Sequence, residues 1–99
     1  MIQKYGSAHW EGSLRDGRGT LSTETGSLKD QAYSFAKRFG EERGTNPEEL
    51  IGAAHAACFA MALSNGLGQA GFTADAIDAR STVTLDPAKG EITLSLIHI

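Results

Sequence analysis

The most reactive group in this chain is the thiol of Cys58, its single cysteine. A lone cysteine cannot form a disulfide within the chain, so it is either a small buried hydrophobic residue or a nucleophile. A thiol attacks as its thiolate, and a free cysteine with a pKa of about 8.5 is only slightly ionised near pH 7. If Cys58 is a nucleophile, a positively charged group must therefore lie next to its sulfur.

His55 lies three residues before Cys58, a spacing that places both side chains on one face of a helix. The pair could form a dyad for acyl transfer or begin a metal site. Two ligands do not make a metal site, and His9 and His98 have no supporting spacing, so we predict no metal and no cofactor. We favour a structural role, a helix histidine hydrogen-bonded in the interior.

The segment that contains Cys58 predicts a long helix. Asn46 is a good N-cap, Pro47 suits the first helical position, and Glu49 follows three residues after the cap, as in a capping box. From Leu50 onward the residues are small and apolar nearly all round. We therefore expect a central helix that is buried on most sides.

The same helix should end near Ala70, with Gly71 in the C′ position, although Asn65-Gly66 offers an earlier end. Cys58 would then lie about three turns from the helix N-terminus. That is too far for the helix dipole to stabilise a thiolate, because the effect is confined to the first turn. The cation must come from elsewhere.

Strands should flank this helix on both sides. Residues 7–11 and 19–23 flank Asp16-Gly17, a dipeptide typical of hairpin turns, and residues 33–35, continuing to Arg38 and Phe39, predict a third strand. After the helix, residues 81–85 and 91–99 predict a second hairpin around a turn at 86–90. The fold class expected is α+β: an antiparallel meander, a long central helix and a second hairpin.

The chain has the length of one small domain, residues 1–99. It stops within an apolar strand, whose free edge would invite pairing with another chain. We therefore expect further sequence after Ile99, so that the domain given is truncated at its C-terminus. We also expect two copies to pair, because one copy alone cannot cover the central helix.

Composition excludes several classes of function. Charged residues are 21% and hydrophobic residues 40%, as in a folded domain, and the mixed charges, with a net charge of −3, give no basic patch for nucleic acid. The longest apolar stretch, 51–63, is shorter than the about 20 residues that span a bilayer, so no membrane association is expected. The N-terminus has no signal-peptide pattern, which favours the cytoplasm.

The block N-P-E-E-L-I-G-A-A-H-A-A-C-F, residues 46–59, resembles the OsmC family, the osmotically inducible relatives of the organic hydroperoxide resistance proteins. The resemblance extends to A-H-W-E-G at 8–12, G-T-L-S-T-E at 19–24 and G-F-T at 71–73, and so covers nearly the whole chain. It implies a homodimeric α+β enzyme of oxidative and osmotic stress defence. Such an enzyme reduces organic hydroperoxides, and less readily hydrogen peroxide, with two cysteines.

This resemblance implies roles for particular residues. Cys58 would attack the peroxide and become a sulfenic acid. Arg38 matches the family arginine that precedes a phenylalanine, and its guanidinium would hold the thiolate and the peroxide oxygen. Glu48 matches the glutamate that orients this arginine, and Arg18, in a turn where the resistance proteins place an arginine, is the alternative cation. The resolving cysteine would lie beyond Ile99, so this chain would need an external dithiol to turn over.

Helix geometry restricts how Glu48 can act. Ten residues separate it from Cys58, which is about 15 Å along the axis and about 80° around it. The two side chains of one helix therefore cannot touch. Either a long arginine bridges the gap or the glutamate comes from a partner chain, and we favour the shared site.

An apolar pocket for the peroxide would need large hydrophobic side chains. The candidates are Trp10, Phe35, Phe39, Phe59 and Met61, and core packing explains each of them equally well. A catalytically incomplete fragment that only dimerises is the remaining alternative.

Overall fold

The structure, a computed structural model, describes residues 1–98. In chain order its elements are β1 (Gly6–Glu11), β2 (Arg18–Thr23), β3 (Gln31–Tyr33), α1 (Phe35–Phe39), α2 (Pro47–Gln69), β4 (Arg80–Asp86) and β5 (Glu91–His98). Antiparallel hairpins and one long central helix confirm the predicted α+β class. Two compact units are present, Met1–Pro47 and a second that begins at Glu48. The single-domain organisation stays a prediction, and Ile99, which we included in the last strand, lies outside the described residues.

The first unit is built on an antiparallel sheet of order β1-β2-β3. Gly19 in β2 pairs with Trp10 on one side and Tyr33 on the other, and the two rings lie 5.4 Å apart. A Cβ at Gly19 would come within 2.6 Å of a Trp10 ring carbon and 2.7 Å of a Tyr33 ring carbon. The buried glycine therefore leaves the space in which the two aromatic rings pack.

The predicted third strand is correct at Tyr33 and wrong beyond it, because the chain turns into the short helix α1. Ser34 caps this helix, and its hydroxyl accepts a hydrogen bond from the Lys37 amide at 3.3 Å. Phe35 and Phe39, one helical turn apart, stack with their ring centroids 4.9 Å apart. This local cap and ring pair outweigh the β-propensity of the aromatic residues. Arg38 therefore lies on a helix, not on a strand.

The long helix α2 begins at the predicted position and ends one residue before the predicted one. Beyond it Gly71 has a φ of 90°, in the left-handed region. The Phe72 amide donates to the Leu67 carbonyl at 2.8 Å, and the Gly71 amide donates to the Gly68 carbonyl at 3.1 Å. This pair of bonds is a Schellman motif, which confirms Gly71 as the C′ residue. Asn65-Gly66 lies within the helix and does not end it.

The expected burial of α2 on most sides is wrong for the single chain. Gly52 is the buried residue of this helix, and no large hydrophobic side chain is buried among residues 1–98. A two-stranded hairpin is too narrow to cover more than one side of a helix. By length and composition alone, α2 is also long and apolar enough to cross a membrane, although the apolar stretch 51–63 was expected to be too short. Core helices of soluble proteins pass the same test.

The second unit also contains the predicted β4–β5 hairpin. Its turn is held by Asp86, whose side chain accepts from the Ala88 amide at 3.0 Å and whose carbonyl accepts from the Gly90 amide at 2.8 Å. The helix comes close to β4 at Gly52, where a Cβ would lie 3.1 Å from the Ser81 carbonyl oxygen. Small side chains on α2 therefore allow close contact with this strand.

Candidate functional site

Cys58 lies at the midpoint of α2, eleven residues from each end of the helix, and carries a free, exposed thiol. The expectation that the helix around this sulfur is buried on most sides is wrong for the single chain. Ile51 and Met61, seven residues before and three after, share its side of the helix and are 42% and 77% exposed. The thiol therefore opens onto an exposed apolar surface, and its access to a peroxide is unobstructed in this chain.

Arg38 belongs to the first unit and lies on α1, where it is half-buried. Its guanidinium carbon lies 5.2 Å from the centroid of the Phe39 ring, a cation–π distance. The same arginine contributes to the wall of a cavity of about 200 Å³. The other residues that line this cavity are Trp10, Leu14, Tyr33, Ser34, Phe35 and Phe39. The cavity is thus largely aromatic, with a fixed positive charge in its wall.

Arg18, the alternative cation, is in a different environment. Its side chain is 84% exposed, and its Nε lies 3.5 Å from a carboxylate oxygen of Glu11. Exposed pairs of this kind are screened by water and contribute little. Of the two arginines, Arg38 is the one placed beside an apolar cavity.

The predicted site residues lie on two elements. Glu48 and Cys58 are both on α2, and the length of helix between them keeps them apart, as expected. Arg38 lies on α1 of the other unit. Of the five candidate pocket residues, Trp10, Phe35 and Phe39 line the aromatic cavity, whereas Phe59 and Met61 lie on α2.

His55 is hydrogen-bonded, as predicted, but it lies at the surface of the chain rather than in its interior. Its Nδ1 is 2.8 Å from the Ser95 hydroxyl and 3.3 Å from the Ser81 hydroxyl, and the two hydroxyls are 2.7 Å apart. We call these three residues the His55 cluster. It joins α2 to both β4 and β5, and it was not predicted because its members are 26 and 40 residues from the histidine.

The comparisons with known proteins decide the family. The model of the OsmC-like protein family matches residues 40–98. The chain is 56% identical over 98 residues to Peroxiredoxin OsmC of Escherichia coli (strain K12), and equally to the protein of that name from Shigella flexneri. The match covers 99% of this chain and 68% of each relative.

This chain belongs to the OsmC family. Family membership confirms the recognition made from the block around Cys58, and it identifies the chain as an oxidoreductase of the peroxidase type. It also agrees with the α+β architecture and with a role in the stress response. An exposed thiol at the centre of an OsmC helix is a suitable nucleophile for a peroxide, since the reaction needs an accessible sulfur.

Proposed function

We propose that this chain reduces organic hydroperoxides, and hydrogen peroxide less readily, to alcohols or water through Cys58. The thiolate sulfur attacks one peroxide oxygen, so that an S–O bond forms and the O–O bond breaks. The leaving oxygen takes a proton and departs as the alcohol, and Cys58 becomes a sulfenic acid. The observation that carries the proposal is the single, free, exposed cysteine at the centre of the OsmC helix.

Arg38 is the cation that we propose for this step, with Glu48 as the residue that orients it. Its half-buried guanidinium beside aromatic rings supports this choice, because a charge shielded from water acts more strongly on a neighbouring anion. The exposed Arg18 has no such advantage. We further propose that Glu48 acts on the arginine, since it cannot reach the sulfur along the same helix.

The preference for organic peroxides is supported by the aromatic cavity of the first unit. Its walls offer apolar rings for a hydrocarbon group and one guanidinium for a polar oxygen. Hydrogen peroxide has no hydrocarbon group and would gain nothing from those rings. We propose this cavity as the binding site for the organic part of the substrate.

A homodimer is the assembly that we propose. Three large apolar side chains of β5, Ile92, Leu94 and Leu96, alternate along the strand and are exposed in one chain, and a surface of this kind usually marks an interface. Two copies related by a two-fold axis would bury the same surface on each. Sedimentation analysis should give twice the chain mass, and a monomer at micromolar concentration would refute the proposal.

The resolving reaction has to come from outside this sequence, which has one cysteine. We propose that an external dithiol reduces the sulfenic acid, becoming a disulfide while the oxygen leaves as water. Without it, the chain should stop after one turnover. We place this chemistry in the cytoplasm, where dithiol reductants keep thiols reduced.

Substitution of the nucleophile tests the proposal. With cumene hydroperoxide and an external dithiol, the unmodified chain should consume peroxide, and a sulfenic-acid reagent should label Cys58. Cys58→Ser should abolish both signals, because a serine hydroxyl is not ionised at neutral pH. Unchanged peroxide consumption by this variant would end the proposal. Ser64→Ala, an exposed position six residues further along α2, is the matched control and should react normally.

A further inference from the structure

We infer that the His55 cluster is a positioning device that fixes the rotation of α2 on the β4–β5 hairpin and thereby sets the direction of Cys58. The inference rests on the proposed role of Cys58 as the nucleophile. His55 is then a positioning residue that acts through Ser95 and Ser81, and it takes no proton from the sulfur.

The geometry of the cluster suits this role. The distances of 2.8 Å from Nδ1 to the Ser95 hydroxyl and 2.7 Å from that hydroxyl to Ser81 are those of well-formed, directional hydrogen bonds. Ser81 can donate to Ser95 and Ser95 to the ring, or the ring can donate to Ser95 and Ser95 to Ser81. Both directions satisfy the two bonds, so the cluster links one helix to two strands in either tautomer.

Apolar contacts alone would hold α2 less firmly. Beside Gly52, the α2 residues Ala53 and Ala56 face the start of β4 with small methyl groups. Gly52 itself approaches Ser81 and Val83 without a side chain that could interlock with them. Hydrophobic burial is not directional. A hydrogen bond from His55, one turn after Gly52, therefore supplies the rotational constraint that an alanine surface lacks.

Rotation of α2 matters because Cys58 is only three residues from His55. The two positions differ by about 60° around the axis and about 4.5 Å along it. Side chains extend about 5 Å from the helix axis, so a roll of about 20° would move the sulfur by about 2 Å. A displacement of about 1 Å can slow a reaction by about 10²-fold. Even a small rotation of α2, allowed by loss of the His55 cluster, should therefore change the rate of sulfenic-acid formation.

Four variants of the chain test the inference in single-turnover reactions with cumene hydroperoxide. His55→Ala and Ser95→Ala should each slow sulfenic-acid formation at Cys58 by about 10-fold or more. His55→Asn should recover to within about 3-fold of the unmodified chain, because its amide lies as many bonds from the backbone as Nδ1. His55→Gln, which places the amide one bond further, should stay slow. His98→Ala, at an exposed position on β5, is the control and should react normally.

These rates separate positioning from general stability and from acid–base catalysis. They are measured per folded molecule, so a cluster that only stabilises the fold would change the melting temperature and leave them unaltered, which would overturn the inference. The double variant His55→Ala with Ser95→Ala should be no slower than either single variant. Each single substitution already removes the same hydrogen bond, the one between His55 and Ser95. If His55→Asn is as slow as His55→Ala, the ionisable ring itself is needed and the inference is wrong.

Alkylation of Cys58 by iodoacetamide distinguishes a failure of this inference from a failure of the proposed function. If the unmodified chain forms no sulfenic acid, the proposed function fails. The cluster should still set the accessibility of the thiol, so the labelling rate should change in His55→Ala and return in His55→Asn. If the unmodified chain reduces peroxide and His55→Ala matches it, the inference alone is overturned.

Discussion

The two units of this chain are ordered by different kinds of contact. In the first unit, aromatic rings pack across the buried Gly19 and stack along α1, and they line an open cavity with Arg38 in its wall. In the second unit, an alanine-rich helix approaches a hairpin closely at a glycine and is tied to it by the His55 cluster. The first unit provides packed aromatic rings and the guanidinium of Arg38. The second provides a regular helix that carries the Cys58 thiol and a large exposed apolar surface.

This difference gives the two units different roles in the function that we propose. We propose that the packed rings of the first unit recognise the organic group of the substrate. Nucleophilic attack needs a sulfur at a defined place, which a regular helix provides with little burial. Substitutions in the first unit should therefore affect substrate use and packing, and substitutions in the second should affect the placement of Cys58.

The largest expected effect is that of Arg38→Ala. Loss of a cation close to a thiolate reduces the ionised fraction by about 10- to 1,000-fold, so kcat/KM for cumene hydroperoxide should fall by about 10²-fold. Iodoacetamide labelling of Cys58 at pH 7 should slow in parallel. Arg38→Lys should recover part of the loss, because it restores the charge without the planar fork.

Arg18→Ala is the matched control for this substitution. Its exposed ion pair with Glu11 predicts a change of kcat/KM of less than about 2-fold. If Arg18→Ala is the slow variant and Arg38→Ala is not, the roles that we give to the two arginines are reversed.

The second prediction compares Gly19, at the close-packed position inside the first unit, with Gly52, at the close-packed position inside the second. Gly19→Ala would place a methyl group within 2.6 Å of the Trp10 ring, and it should lower the free energy of unfolding by about 2–3 kcal/mol. Gly52→Ala meets its nearest atom at 3.1 Å and gains helix propensity, so its cost should be below about 1 kcal/mol. Chemical denaturation of both variants measures the difference. Equal losses would show that the two units are packed alike.

A third prediction concerns the end of α2. Gly71 has a φ of 90°, which an alanine adopts only with strain, so Gly71→Ala should destabilise the protein by about 1–2 kcal/mol. Gly66 lies inside the same helix with open space around it. Gly66→Ala should therefore stabilise the protein by about 0.5–1 kcal/mol. Thermal unfolding should move in opposite directions for the two variants, and a shift of the same sign in both would contradict the Schellman end.

A further small effect should come from the cap of α1. Ser34→Ala removes the hydroxyl that accepts from the Lys37 amide and should cost about 1 kcal/mol. Because α1 carries Arg38, the variant should also lower peroxidase activity slightly. Ser34→Asp retains a capping oxygen and should restore both stability and rate. A fully active, fully stable Ser34→Ala would show that the aromatic contacts alone maintain this helix.

Several elements could be predicted from the sequence because their signals are local. Pro47 at the start of α2 and Gly71 after its end mark a helix through backbone preferences that need no distant partner. The hairpins follow from alternating residues around turn-forming ones. For α1, the sequence also contained a usable signal, since Ser34 is a capping residue and the two phenylalanines are four residues apart.

Other features depend on contacts that a sequence does not display. The exposure of Cys58 depends on what covers α2. An alanine-rich sequence predicts a buried helix whether or not a partner chain is there to cover it. The partners of His55 are two serines on separate strands, and serine is too common on β-strands to indicate a cluster. Cys58 can be picked out as the single cysteine, whereas likeness to the OsmC family indicates Arg38 and Glu48, and the joint action of the three stays a prediction.

The central position of Cys58 has one more consequence. At eleven residues from either end of α2, the sulfur lies beyond the first and last turns, to which the influence of the two helix poles is confined. The helix backbone therefore neither favours nor disfavours the thiolate. Neighbouring side chains, which can be replaced by mutation, have to determine whether the sulfur is charged. Point substitutions near the sulfur should therefore change how readily Cys58 reacts with oxidants, while the helix that carries it stays unchanged.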